Sequence, residues 1–142
     1  MAENAFYPFE IQQVRISRPT NHLSALRRFY HEGLGLEILL EFASDAAGYS
    51  GVVFRLPGTL LHLEFCTHIH GFTDPRPPTN ENLLVLYLCN PDQVIQLERQ
   101  MSQLGYPTVP AENPHWDKDG ITLVDPDGWR VVLMYRSNIE TN

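Results

Sequence analysis

His62 and Glu64 are the residues around which chemistry is most readily written. They stand two apart in Leu61-His62-Leu63-Glu64-Phe65, and in a strand the side chains at i and i+2 share one face. An imidazole beside a carboxylate can act as a general acid and base at neutral pH, or supply two ligands to a metal. A surface ion pair produces the same pattern, so that plainer reading stands beside the chemical one. A third ligand would have to come from His115 or His68. His68 and His70, separated by one residue in a stretch rich in proline and glycine, read as solvated loop residues. Other templates are absent: there is no Gly-x-Ser-x-Gly elbow, no phosphate-cradling glycine loop and no Cys-x-x-Cys pair. Cys66 and Cys89 lie far apart, each beside a strand-like run, and read as buried free thiols rather than a disulfide.

The elements that must position these side chains follow from periodicity. Ile11 to Ser17 reads as a first strand, ended by Pro19. Thr20 or Asn21 can cap a helix whose apolar stripe is Leu23, Leu26, Phe29 and Tyr30, with Gly33 placed for a left-handed C-terminal cap. Strands then follow over 36–42, 49–56 and 60–67, the last two joined by the tight turn Pro57-Gly58. The stretch 68–82 holds three prolines and a glycine without sustained apolar period, and reads as a connector. Beyond it the order recurs. A strand covers 83–89, and Asn90-Pro91-Asp92 opens a helix with the stripe Val94, Leu97, Met101 and Leu104, ended by Gly105. A short strand over 106–109, a loop to Pro114, and a hairpin from Gly120 to Tyr135 through Asp125-Pro126-Asp127-Gly128 complete it.

The halves therefore repeat. Val52 to Gly58 followed by Leu60 to Phe65 mirrors Ile121 to Gly128 followed by Arg130 to Tyr135, and Leu-Gly ends each helix at Leu34-Gly35 and Leu104-Gly105. Each half, about sixty residues with one apolar sheet face, is too small to bury that face alone. The expectation is one α+β domain over 1–142, made of a βαβββ module at 11–67, the connector 68–82, and a second βαβββ module at 83–136. The alternative is two helices packed on one antiparallel sheet with no cleft.

Composition narrows the partners. With 142 residues, 43% hydrophobic and 19% charged, the chain is globular in character. A net charge of -7 and the absence of a basic cluster argue against nucleic acid. The opening residues 1–13 lack the apolar core of a signal peptide, and no run approaches a membrane span. A cytoplasmic protein is expected.

Phe29-Tyr30 with Leu34-Gly35-Leu36, and Asp125-Pro126-Asp127-Gly128-Trp129, at their spacing, resemble the helix-to-strand junction and last hairpin of the vicinal-oxygen-chelate superfamily. That superfamily comprises glyoxalase I, bleomycin-resistance proteins and extradiol dioxygenases. The resemblance runs from about Ile11 to about Tyr135. It implies a rolled mixed sheet with a concave cleft, a homodimer, and in metal-using members a divalent ion held by the first, fourth, fifth and eighth strands. Carried onto this chain, those positions fall on Val14 (Gln13 or Gln12 if the register slips), Glu64, Leu83 or Leu84, and Val132. Only Glu64 is a credible ligand, so no metal or other cofactor is expected. If Glu64 faces the cleft, so does His62, while Leu61, Leu63 and Phe65 face the helices. The same parity, carried over by the repeat, sends Arg130, Val132 and Met134 inward from the last strand. From the first strand it sends Val14, Ile16 and Arg18. Trp116 either covers the mouth or packs against the sheet edge. The expected function is metal-free binding of a small organic molecule through His62, Glu64, Arg130, Arg18 and Trp116. The alternative is an enzyme of lyase, isomerase or dioxygenase type, either metal-free with His62 and Glu64 as catalytic candidates or with a divalent metal completed by His115 or His68.

Overall fold

The computed structural model describes residues 8–43 and 45–135. In chain order the elements are β1 (Val14–Pro19), α1 (Leu23–Arg27), β2 (Glu37–Phe42), β3 (Tyr49–Arg55) and β4 (Leu61–His68), then β5 (Leu83–Tyr87), α2 (Pro91–Gln103), β6 (Gly120–Val124) and β7 (Arg130–Met134). They form a four-stranded sheet ordered β1-β4-β3-β2 and a three-stranded sheet ordered β5-β7-β6. In both, the strand before the helix runs parallel to the module's last strand, and the hairpin strands are antiparallel. The result is an α+β architecture in which each module flanks its helix with strands of one mixed sheet.

Local chemistry explains where the elements start and stop. β1 begins at Val14 rather than Ile11 and runs to Pro19. Thr20 Oγ1 accepts from the His22 backbone N–H at 2.9 Å, but α1 itself opens only after His22. Asn21 caps no helix. Its side chain clamps Phe72 of the connector, donating to the carbonyl at 2.8 Å and accepting from the N–H at 2.9 Å. α1 passes into a π-helical turn, Arg28–Gly33, which puts the consecutive Phe29 and Tyr30 both inside. The left-handed residue is Gly35, at φ 75°, not Gly33. Gly33 serves packing instead: a Cβ there would lie 2.6 Å from the Met101 sulfur, so its absence lets that side chain of α2 sit against the turn. At the start of α2, Asn90 accepts from the Gln93 N–H and Pro91 fills the first turn. The strand expected over 106–109 shrinks to a single bridge between Val109 and Thr122. Pro107 and Pro110 flank that bridge and have no N–H to offer a ladder. Of the thiols expected to be buried, Cys66 is half-buried and Cys89 is exposed.

One core serves both modules. Leu63 and Phe65 of β4 and Val52 and Phe54 of β3 meet Leu26, Phe29 and Tyr30, and the same cluster continues into Met101, Leu123, Val131 and Leu133 of the second module. Polar bonds reinforce the seam. The Tyr30 hydroxyl donates to Asp125 Oδ2 at 2.7 Å, and Asp125 Oδ1 accepts from the N–H groups of Asp127 at 2.8 Å and Trp129 at 3.0 Å. Arg28 donates to the Leu104 carbonyl at 2.9 Å and the Tyr106 hydroxyl at 2.7 Å, and Gln100 donates to the Gly33 carbonyl at 2.6 Å. No helix among the described residues is long and apolar enough to cross a membrane.

Burial raises the Asp125 carboxyl above its ordinary value of 3.8, against the lowering effect of the three hydrogen bonds. The folded state thus holds this proton more tightly than the unfolded chain. Its contribution to stability is fullest below the ordinary value and declines as pH rises through the raised one. Urea titrations across that window should show the wild type losing stability relative to Asp125→Asn as pH increases; a difference that does not change with pH contradicts this. Leu63→Ala should cost roughly 2–5 kcal/mol in the same measurement, as for other truncated core leucines.

Candidate functional site

The register between neighbouring strands fixes which side chains share a face. Arg55 and Arg15 flank His62, while Val53 and Ser17 flank Glu64. These residues lie opposite to Leu63 and Phe65, whose side chains fill the core. Leu40 pairs with Val53 and Phe42 with Gly51 on the same exposed side, after a bulge in β2. A Cβ on Gly51 would stand 2.6 Å from the Phe42 ring and 2.8 Å from the Phe65 carbonyl, so glycine there lets both approach.

On this face His62 and Glu64 are brought together as expected, with Gln13, named above only for a slipped register, and Arg15, which the sequence reading had not placed there. Gln13 Nε2 lies 2.9 Å and Arg15 Nη2 3.3 Å from His62 Nδ1. An arginine can only donate, so Nδ1 is the accepting nitrogen and the ring proton sits on Nε2, free to be offered outward. Arg15 also reaches Glu64 at 3.8 Å, with side-chain exposures of 42% and 18%. That contact is too long for a strong hydrogen bond and leaves most of the carboxylate's accepting capacity unspent.

The first-strand parity is therefore corrected. Val14 and Ile16 align with Leu61 and Leu63, and Ile16 packs on the core, whereas Arg15 and Ser17 take the His62 and Glu64 side. Arg18 is not a neighbour of Glu64. Its guanidinium stacks 4.0 Å above the Trp129 ring at the seam, where Arg18 Nη1 and Trp129 Nε1 are both buried with no hydrogen-bond partner among the described residues. Arg130 is likewise on a different face. It lies in the second sheet beside Leu83 and donates to the Pro110 carbonyl at 3.2 Å. Trp116, on a short 3-10 turn (Pro114–Asp117), covers that second face together with Leu83, Thr122 and Arg130 rather than the Glu64 face.

The metal alternative can be tested on these residues. His68 Nε2 bonds the Ala47 carbonyl at 2.9 Å, and His115 packs edge-on against Trp116, so neither joins Glu64. Among the described residues, no three His, Cys, Asp or Glu side chains gather closely enough to hold an ion. The nearest charged group to Glu64 is the Arg15 cation, and His62 Nδ1 already faces two donors. These residues do not fit the divalent ion of the metal-using enzymes.

A separate groove of about 490 Å³ runs between the β3–β4 turn and β5, lined by residues such as Leu36, Leu56, Leu61, Leu84, Leu86 and Leu97. It is more apolar than the Glu64 face but holds no charged group among the described residues to orient a ligand, so the polar face is the better candidate.

Comparison with known proteins places this geometry. Residues 14–66 match the YycE-like N-terminal domain and residues 81–135 the YycE-like C-terminal domain. Protein YycE of Bacillus subtilis is 42% identical over 134 residues, covering 94% of this chain and 95% of that protein. The chain belongs to the YycE-like family. The crystal structure of a Bacillus subtilis YycE protein, of unknown function, superposes with a TM-score of 0.84 over 92% of this chain and 93% of that one. More distant structures share the fold alone. Leishmania major glyoxalase I gives a TM-score of 0.62 at 17% identity, covering 89% and 87% of the two chains. The antibiotic-binding protein TnmS3 from Streptomyces gives 0.62 at 20%, covering 91% and 99%. The YycE-like chain thus shares the fold of glyoxalase and bleomycin-resistance proteins, as the resemblance to the vicinal-oxygen-chelate superfamily implies.

Proposed function

We propose that this YycE-like protein binds a small organic molecule on the Glu64 face of its first module, without the superfamily's divalent metal. One observation carries the reading. The Glu64 side chain is only 18% exposed, yet its one ion-pair contact is a half-exposed arginine at 3.8 Å. A shielded carboxylate with spare lone pairs is completed by a ligand that donates, such as an amine, amide or hydroxyl. Arg15 and the His62 Nε2–H supply the complementary donors for an oxygen-rich edge, and Leu40 and Phe42 give apolar contact nearby. An antibiotic-binding protein among the structural neighbours is in keeping with sequestration as the role.

Isothermal titration with bleomycin and with fosfomycin, in EDTA and then with added zinc, nickel or manganese, tests this. At least one compound should bind equally in EDTA, and Glu64→Gln should weaken it about tenfold, the loss of roughly one charge-assisted hydrogen bond. The variant's stability should be nearly unchanged, because a partly solvated, loosely paired carboxylate contributes little. Binding or turnover seen only with added metal, or about one metal ion per chain by elemental analysis after gentle purification, rejects the metal-free reading.

The reading includes a homodimer. β5 is an open sheet edge beside the apolar groove, and Val14, Leu60 and Tyr87 project nearby with large exposed areas. Unpaired edges and apolar surface of this kind are normally covered. Sedimentation should give a dimer at micromolar concentration; a clean monomer counts against it.

A further inference from the structure

We propose that the apolar groove beside β5 receives the segment ahead of β1, Phe9 to Gln13, from a second copy of the chain, in a reciprocal exchange. This rests on the homodimer reading above and names the segment that makes the contact.

The repeat shows that the groove lacks a cover. By register and turn hydrogen bonding, Arg18, Asp125 and Trp129 of the seam correspond to Leu86, Leu56 and Leu61. At the seam the connector lies over the corner: Asn21 clamps Phe72, and a Cβ on Gly128 would meet Pro77 at 3.7 Å. At the second corner the three positions are leucines, and a space of about 490 Å³ stays open. Residues 136–142, which follow β7 as the connector follows β4, are polar except for Ile139 and so poorly suited to a groove walled by leucine.

The groove's shape selects a single extended strand. It is lined by five consecutive residues, Leu84 to Leu88. Side chains that alternate between faces can all border one groove only where it follows the strand's edge. β5 pairs with β7 alone, so its outer edge offers backbone N–H and C=O groups to an added strand. Leu56 and Leu61 wall the far side, which leaves room for one strand but not for a strand with a sheet behind it.

Phe9-Glu10-Ile11-Gln12 alternates apolar and polar residues as such a strand requires, and Phe9 and Ile11 are 62% and 68% exposed. Within its own chain the segment runs along the β3–β4 turn. Ile11 and Val14 border Thr59 and Leu60, and the Val14 N–H donates to the Leu60 carbonyl at 3.3 Å. Thr59 and Leu61 border the groove as well, so segment and groove are adjoining patches, with Leu60, 71% exposed, beside their common wall. A twofold axis beside Leu60 carries each segment onto the other copy's groove and buries Leu60 in the contact.

Sedimentation and cross-linking of the full chain test this. Phe9→Glu with Ile11→Glu should weaken dimerisation at least tenfold, because each charge would enter an apolar groove, whereas Ile95→Glu, on the exposed side of α2, should leave the dimer intact. In a background with Cys66 and Cys89 changed to serine, Ile11→Cys with Tyr87→Cys should give a covalent dimer with a short bis-maleimide, linked between those two positions. A wild-type dimer that the paired glutamates leave intact overturns the exchange and keeps the homodimer; a wild-type monomer overturns both. A link formed within one chain, or no link between the two positions, also overturns the exchange.

Discussion

Asp125 ties the two modules together, and the way their sheets are set against each other depends on it. A carboxylate this deeply buried is costly unless its lone pairs are used. Here they are used in two directions: Oδ1 draws in the N–H groups of Asp127 and Trp129 to shape the β6–β7 turn, and Oδ2 takes the Tyr30 hydroxyl from the first module. A local turn and a long-range tether share one group. His22 Nδ1 lies 2.9 Å from Asp127 Oδ1, and the Arg18–Trp129 stack closes the same corner. The end of β1 and the start of β7 are thereby fixed against each other, although the two strands belong to different sheets.

With that corner fixed, the repeat can diverge without loss of fold. The glycine pair shows what is held constant. Gly51 and Gly120 occupy the same register position, and each gives way to a neighbouring side chain, Phe42 in one case and Met134 in the other. What differs is cover. The first face is open enough for the Glu64 carboxylate to keep some solvent, whereas Val132, at the corresponding place, is fully buried. A charge at Val132 would lie unpaired beneath the sheet's covering, so an apolar residue is required there by burial alone. An apolar residue at Val132 therefore goes together with the fuller cover of the second face, where Trp116 lies over Leu83, Thr122 and Arg130.

Much of this was legible from alternation. Leu63 and Phe65 face the core and His62 and Glu64 the other side because a strand with one buried face must segregate its residues with period two. The first strand was misread where family ligand spacing was followed instead of that rule: Val14 and Ile16 are its apolar pair and lie on the core side, which leaves Gln13, Arg15 and Ser17 for the site. Arg18 and Arg130 were not recoverable in this way. Parity tells which side of its own sheet a residue takes, but not how two sheets are oriented, and that orientation is set by the seam. Gly33 was misassigned because a glycine near a helix end suits both a left-handed cap and a close helix contact, and only the Met101 sulfur beside it decides between them. The strand over 106–109 had its warning in Pro107 and Pro110.

The same reasoning bears on the metal question. Metal-using relatives need several ligands to converge, and convergence requires both the right residue types and a sheet curvature that turns them toward one point. In this chain Glu64 retains its place, but the groups turned toward it are Arg15 and, across His62, Gln13. An arginine near a carboxylate supplies positive charge without demanding further ligands, and it can swing aside for an incoming group because it is half-exposed. On the proposed metal-free reading, a displaceable cation stands near the carboxylate where metal-using relatives hold a fixed Lewis acid. That arrangement suits recognition of a molecule better than activation of one, and it requires no alteration of the backbone.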